Sequence, residues 1–240
     1  MRYLDLADAL RARIVARDLG PGGALAGEHE LAREYGTSRV TVRRALDLLR
    51  GEGLVASRRG AGWFAAGDPV RQPLGRMTTV EATVEAAGSE PGRRILAFAF
   101  APADATVAAA LEIDAGADVL RVERVNLADD EPFAAVTVWV RADLGADVSR
   151  ADVERAPFYD LLPMHGVELG TVHQTITAEI ADAALAERLA IAPGDPLLVA
   201  RRITHDAAGA PALYSEHRYP AVRTQFEIEF SLRTGALQHA

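Results

Sequence analysis

The sequence predicts an α+β protein in two parts, a small helical head ending in a hairpin and a larger body built on an antiparallel sheet. Three observations carry this. The 240 residues are long for one compact domain and comfortable for two. Charge is divided: up to residue 67 there are 11 arginines against 8 acids, and beyond it 15 against 26, so a basic head precedes an acidic body. The early chain shows apolar residues at helical spacing, whereas the later chain alternates strand-like and helix-like pieces.

In the head, Tyr3, Leu6, Ala7, Leu10 and Ile14 repeat with helical period, which predicts a first helix over 4–17 closed by Leu19-Gly20-Pro21-Gly22-Gly23. A second, short helix is predicted over 28–35, with Leu31, Ala32 and Tyr35 inward and Glu28 and Glu30 in the first turn, where the helix dipole favours acids. A third runs over 38–50. There Val42, Ala45, Leu46 and Leu49 stack on one face, Ser38 stands at the N-cap, and Arg39, Arg43, Arg44, Asp47 and Arg50 occupy the other face. Two apolar strands, Leu54–Ser57 and Trp63–Ala65, then flank the basic glycine turn Arg58-Arg59-Gly60-Ala61-Gly62. Three helices with a short turn before the last, followed by a hairpin with arginines at its tip, predict a winged helix-turn-helix.

At these residues the chain resembles the GntR family of bacterial transcription regulators. The stretches that carry the resemblance are Leu25-Ala26-Gly27-Glu28-His29-Glu30-Leu31-Ala32, Gly36-Thr37-Ser38-Arg39-Val40-Thr41-Val42-Arg43-Arg44-Ala45-Leu46 and Glu52-Gly53-Leu54-Val55. The resemblance implies that Arg39 and Arg43 reach base edges in the major groove, that Thr41 contacts backbone or base, and that Gly60, next to the wing arginines Arg58 and Arg59, enters the minor groove. Ser38 and Arg44 complete that surface. Val40 is either a contact for a thymine methyl or a plain surface valine. His29 stands where the family has an arginine, and Ala26-Gly27 replaces Pro-Ser, so operator preference does not carry over.

Residues 66–76 have no period and contain two prolines and two glycines, which predicts a linker between a head at 1–66 and a body at 77–240. The body contains an internal repeat. Asp104, Leu111, Ile113, Gly116, Leu120 and Arg124 recur 78 residues later as Asp182, Leu189, Ile191, Gly194, Leu198 and Arg202. Each copy reads as a capped helix, a glycine turn and two strands, with the turn at Asp129-Asp130 or Ala208-Gly209. One antiparallel sheet with helices over one face is the expected result.

This half resembles the UTRA effector domain of the HutC branch of the family, which has the chorismate-lyase fold. The matching pieces are Leu111-Glu112-Ile113 with Gly116, Val119–Leu127 with Glu131-Pro132, Phe158-Tyr159-Asp160-Leu161-Leu162, and Pro211 through Tyr214-Ser215 to Tyr219 and Arg223. The resemblance implies an effector pocket at Thr79, Arg124, Asn126, Tyr159, Tyr214, Ser215 and Tyr219. Relatives that sense sugar phosphates carry an arginine where this chain has Asn126 and a serine where it has Pro157. The predicted ligand is therefore less anionic, a carboxylate or a neutral metabolite. For Arg124 an interior ion pair with Glu123 or another neighbour is the competing reading.

Other chemistry is not predicted. The six histidines show no metal-ligand spacing, cysteine is absent, and no nucleophile elbow, phosphate loop or paired-carboxylate motif occurs, so neither metal, cofactor nor enzyme activity is expected. No apolar run approaches the ~20 residues of a membrane span, and Met1–Ile14 does not read as a signal peptide, which predicts a cytoplasmic protein with no membrane partner. The sequence thus predicts a homodimeric regulator, more often a repressor in this branch, that binds double-stranded DNA at an inverted repeat and responds to a small-molecule effector. Two rivals remain: a dimeric DNA-binding protein without a ligand, and a lyase-like enzyme.

Overall fold

The computed structural model describes residues 1–16, 18–20, 24–58, 62–65 and 69–230. In the head, α1 spans Tyr3–Val15, α2 Glu28–Glu34 and α3 Arg39–Gly51, and the wing is β1 Val55–Arg58 with β2 Gly62–Ala65. The predicted faces meet: Leu6, Ala7, Leu10, Leu31, Val42, Ala45, Leu46 and Leu49 are fully buried and close on Val55 and Trp63. Tyr3 is the exception. It stays exposed, at 38%, on the first turn of α1. Gly36 takes φ +58°, which lets α2 turn sharply into α3.

The segment predicted as a linker is in part a strand. β3, Val70–Pro73, pairs in parallel with β10, Thr224–Glu227, from Val70↔Thr224 to Pro73↔Glu227. Four residues that follow one proline and end on another carry no readable alternation, and their partner lies far along the chain. Beside this pair, Gly53, in the turn after α3, approaches Val222 so closely that a Cβ there would sit 2.8 Å from its Cγ1.

The body follows as α4 Val80–Ala86, β4 Pro91–Pro102, α5 Ala105–Leu111, β5 Asp118–Ala128, β6 Glu131–Arg141, α6 Ala142–Gly145, α7 Arg150–Arg155, α8 Phe158–Met164, β7 Leu169–Ile180, α9 Ala183–Leu189, β8 Pro196–Asp206 and β9 Pro211–Pro220. Six strands form one antiparallel sheet in the order β4-β5-β6-β9-β8-β7. The repeat therefore includes one strand more than expected: β4 and β7 begin the two copies. Asp104 and Asp182 cap α5 and α9 by accepting backbone N–H bonds, and each helix ends on a left-handed residue, Glu112 at φ 53° and Ala190 at φ 51°. The Asp129-Asp130 turn also has both residues at positive φ, as a two-residue hairpin requires.

A pseudo-two-fold axis passes through the pair Thr137↔Glu216, which exchanges Val136↔His217 with Val138↔Ser215. Each repeat's helix packs on the other repeat's inner strand: Val107, Ala108 and Leu111 of α5 lie against Tyr214, and Ala186 and Leu189 of α9 against Ala135. Helices cover both faces, not one. Val80, Val84, Val153, Phe158, Leu161 and Leu162, from α4, α7 and α8, close over the opposite face on Leu120, Val122, Val136, Val138, Val140 and Leu213. The inner strands are apolar on both sides, so one covered face would leave the other in water.

Candidate nucleic-acid interface and effector pocket

The buried stripe of α3 fixes which side chains its other face can offer. Ser38 caps the helix by accepting from the Thr41 backbone N–H at 3.2 Å, and the two hydroxyls are 2.9 Å apart. One turn on, the Arg39 and Arg43 side chains are 64% and 62% exposed, so neither is held by the core. Both are aimed by one acid that the sequence reading assigned only to the helix dipole. Glu28 of α2 takes a forked pair from Arg43, Nε to Oε1 at 3.2 Å and Nη2 to Oε2 at 2.9 Å, with Arg39 Nη2 at 3.8 Å. This hydrogen bonding lowers the Glu28 carboxyl below its ordinary range and raises the Arg43 guanidinium. The fork keeps both cations side by side on the exposed helix face.

Val40 is 68% exposed beside them, and His29 and Arg44 are also exposed. Arg50 is spent elsewhere: it pairs with Asp47 and lies 5.9 Å over the Trp63 ring. Arg59 and Gly60 lie outside the described residues, and Arg58 is described only as the end of β1.

In the body, a row of polar groups lies on the sheet face under α4 and α8. Arg124, Asn126, Arg202, Thr204, Ser215 and His217 are all buried. Arg124 donates to Asn126 Oδ1 at 3.2 Å, and Asn126 in turn donates to Glu81 Oε1 at 2.6 Å. Glu81 also pairs with Arg93. Burial pushes Glu81 up, but Arg124 and Arg93 outweigh it and hold the carboxyl below its usual range. Burial likewise pushes Arg124 down, to about 10, against the pull of Glu81. Glu123, the neighbour considered for Arg124, is on the other face, paired with Arg121 and Arg188.

His217 bridges the middle of the row, hydrogen-bonded to Ser215 Oγ at 3.1 Å and Tyr219 Oη at 3.4 Å. Tyr159 reaches Thr204 at 3.2 Å. Burial, then Arg202 and Arg124, push His217 well below 6.5, so it is neutral. Tyr214 does not belong to this pocket. Adjacent strand residues point to opposite faces, and Tyr214 stacks on Trp139 at 5.3 Å and bonds Glu216 while Ser215 faces the pocket. Thr79 is half-buried, its hydroxyl engaged as the N-cap of α4.

A winged helix-turn-helix with outward arginines, joined to an α+β body with a buried polar pocket, defines a DNA-binding transcription regulator. The comparisons with known proteins agree. The description "bacterial regulatory proteins, gntR family" matches residues 2–65, and the UTRA domain matches 86–225. The chain belongs to the GntR family of bacterial transcription regulators and carries a UTRA domain.

It is 31% identical to the HTH-type transcriptional regulator Rv0792c of Mycobacterium tuberculosis, over 93% of this chain and 83% of that one. It is 26% identical to the HTH-type transcriptional repressor NagR of Bacillus subtilis, over 92% and 93%. The crystal structure of PhnF from Mycobacterium smegmatis superposes with TM-score 0.64 at 26% identity, covering 95% of this chain and all of that one.

Proposed function

We propose that the protein represses transcription as a homodimer on an inverted-repeat operator and that a small effector in the body changes its affinity for DNA. The exposed Arg39–Arg43 pair, held in register by Glu28, carries the reading. An arginine fork can bond guanine O6 and N7 together, and the Glu28 contact, which uses the Nε–Nη2 edge of Arg43, pre-orders the side chain and leaves its Nη1–Nη2 end for a base. Ser38, Thr41, Arg44 and His29 supply phosphate contacts, Val40 a thymine methyl contact, and Arg58, Arg59 and Gly60 the wing contacts. One such helix reads only a few base pairs, so a genome-scale search calls for a two-fold dimer.

The body binds rather than reacts. Its effector contacts are Arg124, Asn126, Tyr159, Ser215 and Tyr219, with Thr79 at the pocket edge. Glu81 neutralises Arg124 and Asn126 replaces a cation, so this half of the pocket suits a polar, weakly anionic group. Residues 1–66 act as the head, 67–76 as the connection and 77–240 as the effector and dimer domain of a cytoplasmic regulator.

The test is fluorescence anisotropy on an operator selected from random DNA, with light scattering on the full chain. Selected sites should be palindromic and the protein dimeric. A monomer at micromolar concentration, or selected DNA without two-fold symmetry, would defeat the proposal.

A further inference from the structure

The internal repeat places a second buried arginine where the first repeat has Arg124, and its surroundings differ in one decisive way. Arg202 is 4% exposed. Its Nε donates to Gln174 Oε1 at 2.6 Å, and its Nη1, like that of Arg124, has no hydrogen-bond partner; the difference is that among the described residues no carboxylate forms an ion pair with Arg202 or reaches it through a neighbour. Arg124 has Glu81 at hand through Asn126; Arg202 has nothing comparable. A buried guanidinium without a counter-charge is costly and is retained where an anion neutralises it.

The space for such an anion is present. Arg202 and Gln174 form one wall of a cleft of about 220 Å³ whose other wall is the chain from Gln72 to Thr78, including Arg76. Gln72 is 3% exposed, and its side-chain amide, which also bonds toward Tyr219, is a further buried donor on that wall. Arg76 is exposed at the rim and adds a second positive charge. Two arginines and a buried amide around this volume match the acceptors of a carboxylate or phosphate group.

We propose that this cleft is an oxyanion subsite of the second repeat, which takes the carboxylate or phosphate terminus of a small metabolite and clamps β3 and the residues after it onto β7 and β8. It is separate from the Arg124 end of the pocket. One of its walls belongs to the segment that leads to the head, so occupancy fixes the point where the head departs.

The test uses the full chain, with inorganic phosphate and acetate as probes against chloride at equal ionic strength. Thermal unfolding and hydrogen exchange of 70–78 are both measured. Phosphate or acetate, well above its Kd, should raise the midpoint by about 2–4 °C beyond chloride and slow exchange across 70–78; whichever acts identifies the source. Arg202→Gln should abolish both effects, whereas phosphate held by the head arginines would survive that change. Arg76→Ala alters an exposed residue, leaves folding intact and should weaken binding severalfold. Equal response to all three anions in the wild type, or a full response retained in Arg202→Gln, overturns the proposal. Should Arg202→Gln fail to fold, a full response in Arg76→Ala overturns it.

Discussion

Head and body use the same cation under opposite physics. Arg39 and Arg43 stand in water, paired by Glu28 but still open to a ligand. Arg124 and Arg202 are inside the protein, where a charge must be neutralised or it costs stability. Exposed arginines can thus change without harming the fold, whereas buried ones reveal what neutralises them. Inside the body the contrast repeats: Arg124 has the acid of α4 at hand, whereas Arg202 has none among the described residues.

The sharpest way to break this contrast is to remove the acid. Glu81→Leu leaves Arg93 and Arg124 buried without a counter-charge and should destabilise the protein by about 3–5 kcal/mol in urea unfolding. A loss comparable to a surface substitution would show that water already neutralises the cluster. In the head, Arg43→Ala should weaken operator binding by about tenfold to a hundredfold with an unchanged unfolding midpoint; wild-type affinity by anisotropy would remove Arg43 from the interface.

A third substitution tests the second copy. Arg202→Met removes a charge that lacks an acid, so in anion-free buffer stability should hold or rise slightly. A loss as large as that of Glu81→Leu would mean that Arg202 is compensated after all.

The smallest effect concerns pH. Buried His217 is neutral in the folded state and ordinary in the unfolded one, so below pH 6.5 the unfolded chain binds more protons. Stability from this residue is therefore complete above that pH and falls as pH drops below it, by up to about 1.4 kcal/mol per unit. Unfolding of the wild type and His217→Gln at pH 7.5 and 5.5 should show the steeper loss in the wild type. Parallel losses would mean that His217 charges freely.

Local patterns made much of this legible. The α3 stripe, its Ser38 cap and the Asp104 and Asp182 caps of the repeat are properties of short stretches, and they fall within a residue or so of expectation. What escaped is nonlocal. β4 and β7 share only Gly92 with Gly170 in register, so the identities that exposed the repeat did not reach them. Glu28 and Glu81 gain their roles from partners on other elements, and β3 gains its strand from β10. Tyr214 is different: strand alternation alone separates it from Ser215, and the motif that joined them in sequence concealed this.

The β3–β10 pair also sets a length. It anchors the chain to the body from Val70 onward, so only four residues separate the wing's last strand residue, Ala65, from that anchor. The five Cα steps from Ala65 to Val70 span at most about 18 Å, well short of the ~34 Å that separates successive half-sites on one face of B-DNA. In the proposed dimer, two heads joined to the body over so few residues could not reach operators of arbitrary spacing. In the proposed dimer, the distance between the two anchors, a dimension of the body, would then select the operator length that the heads can read.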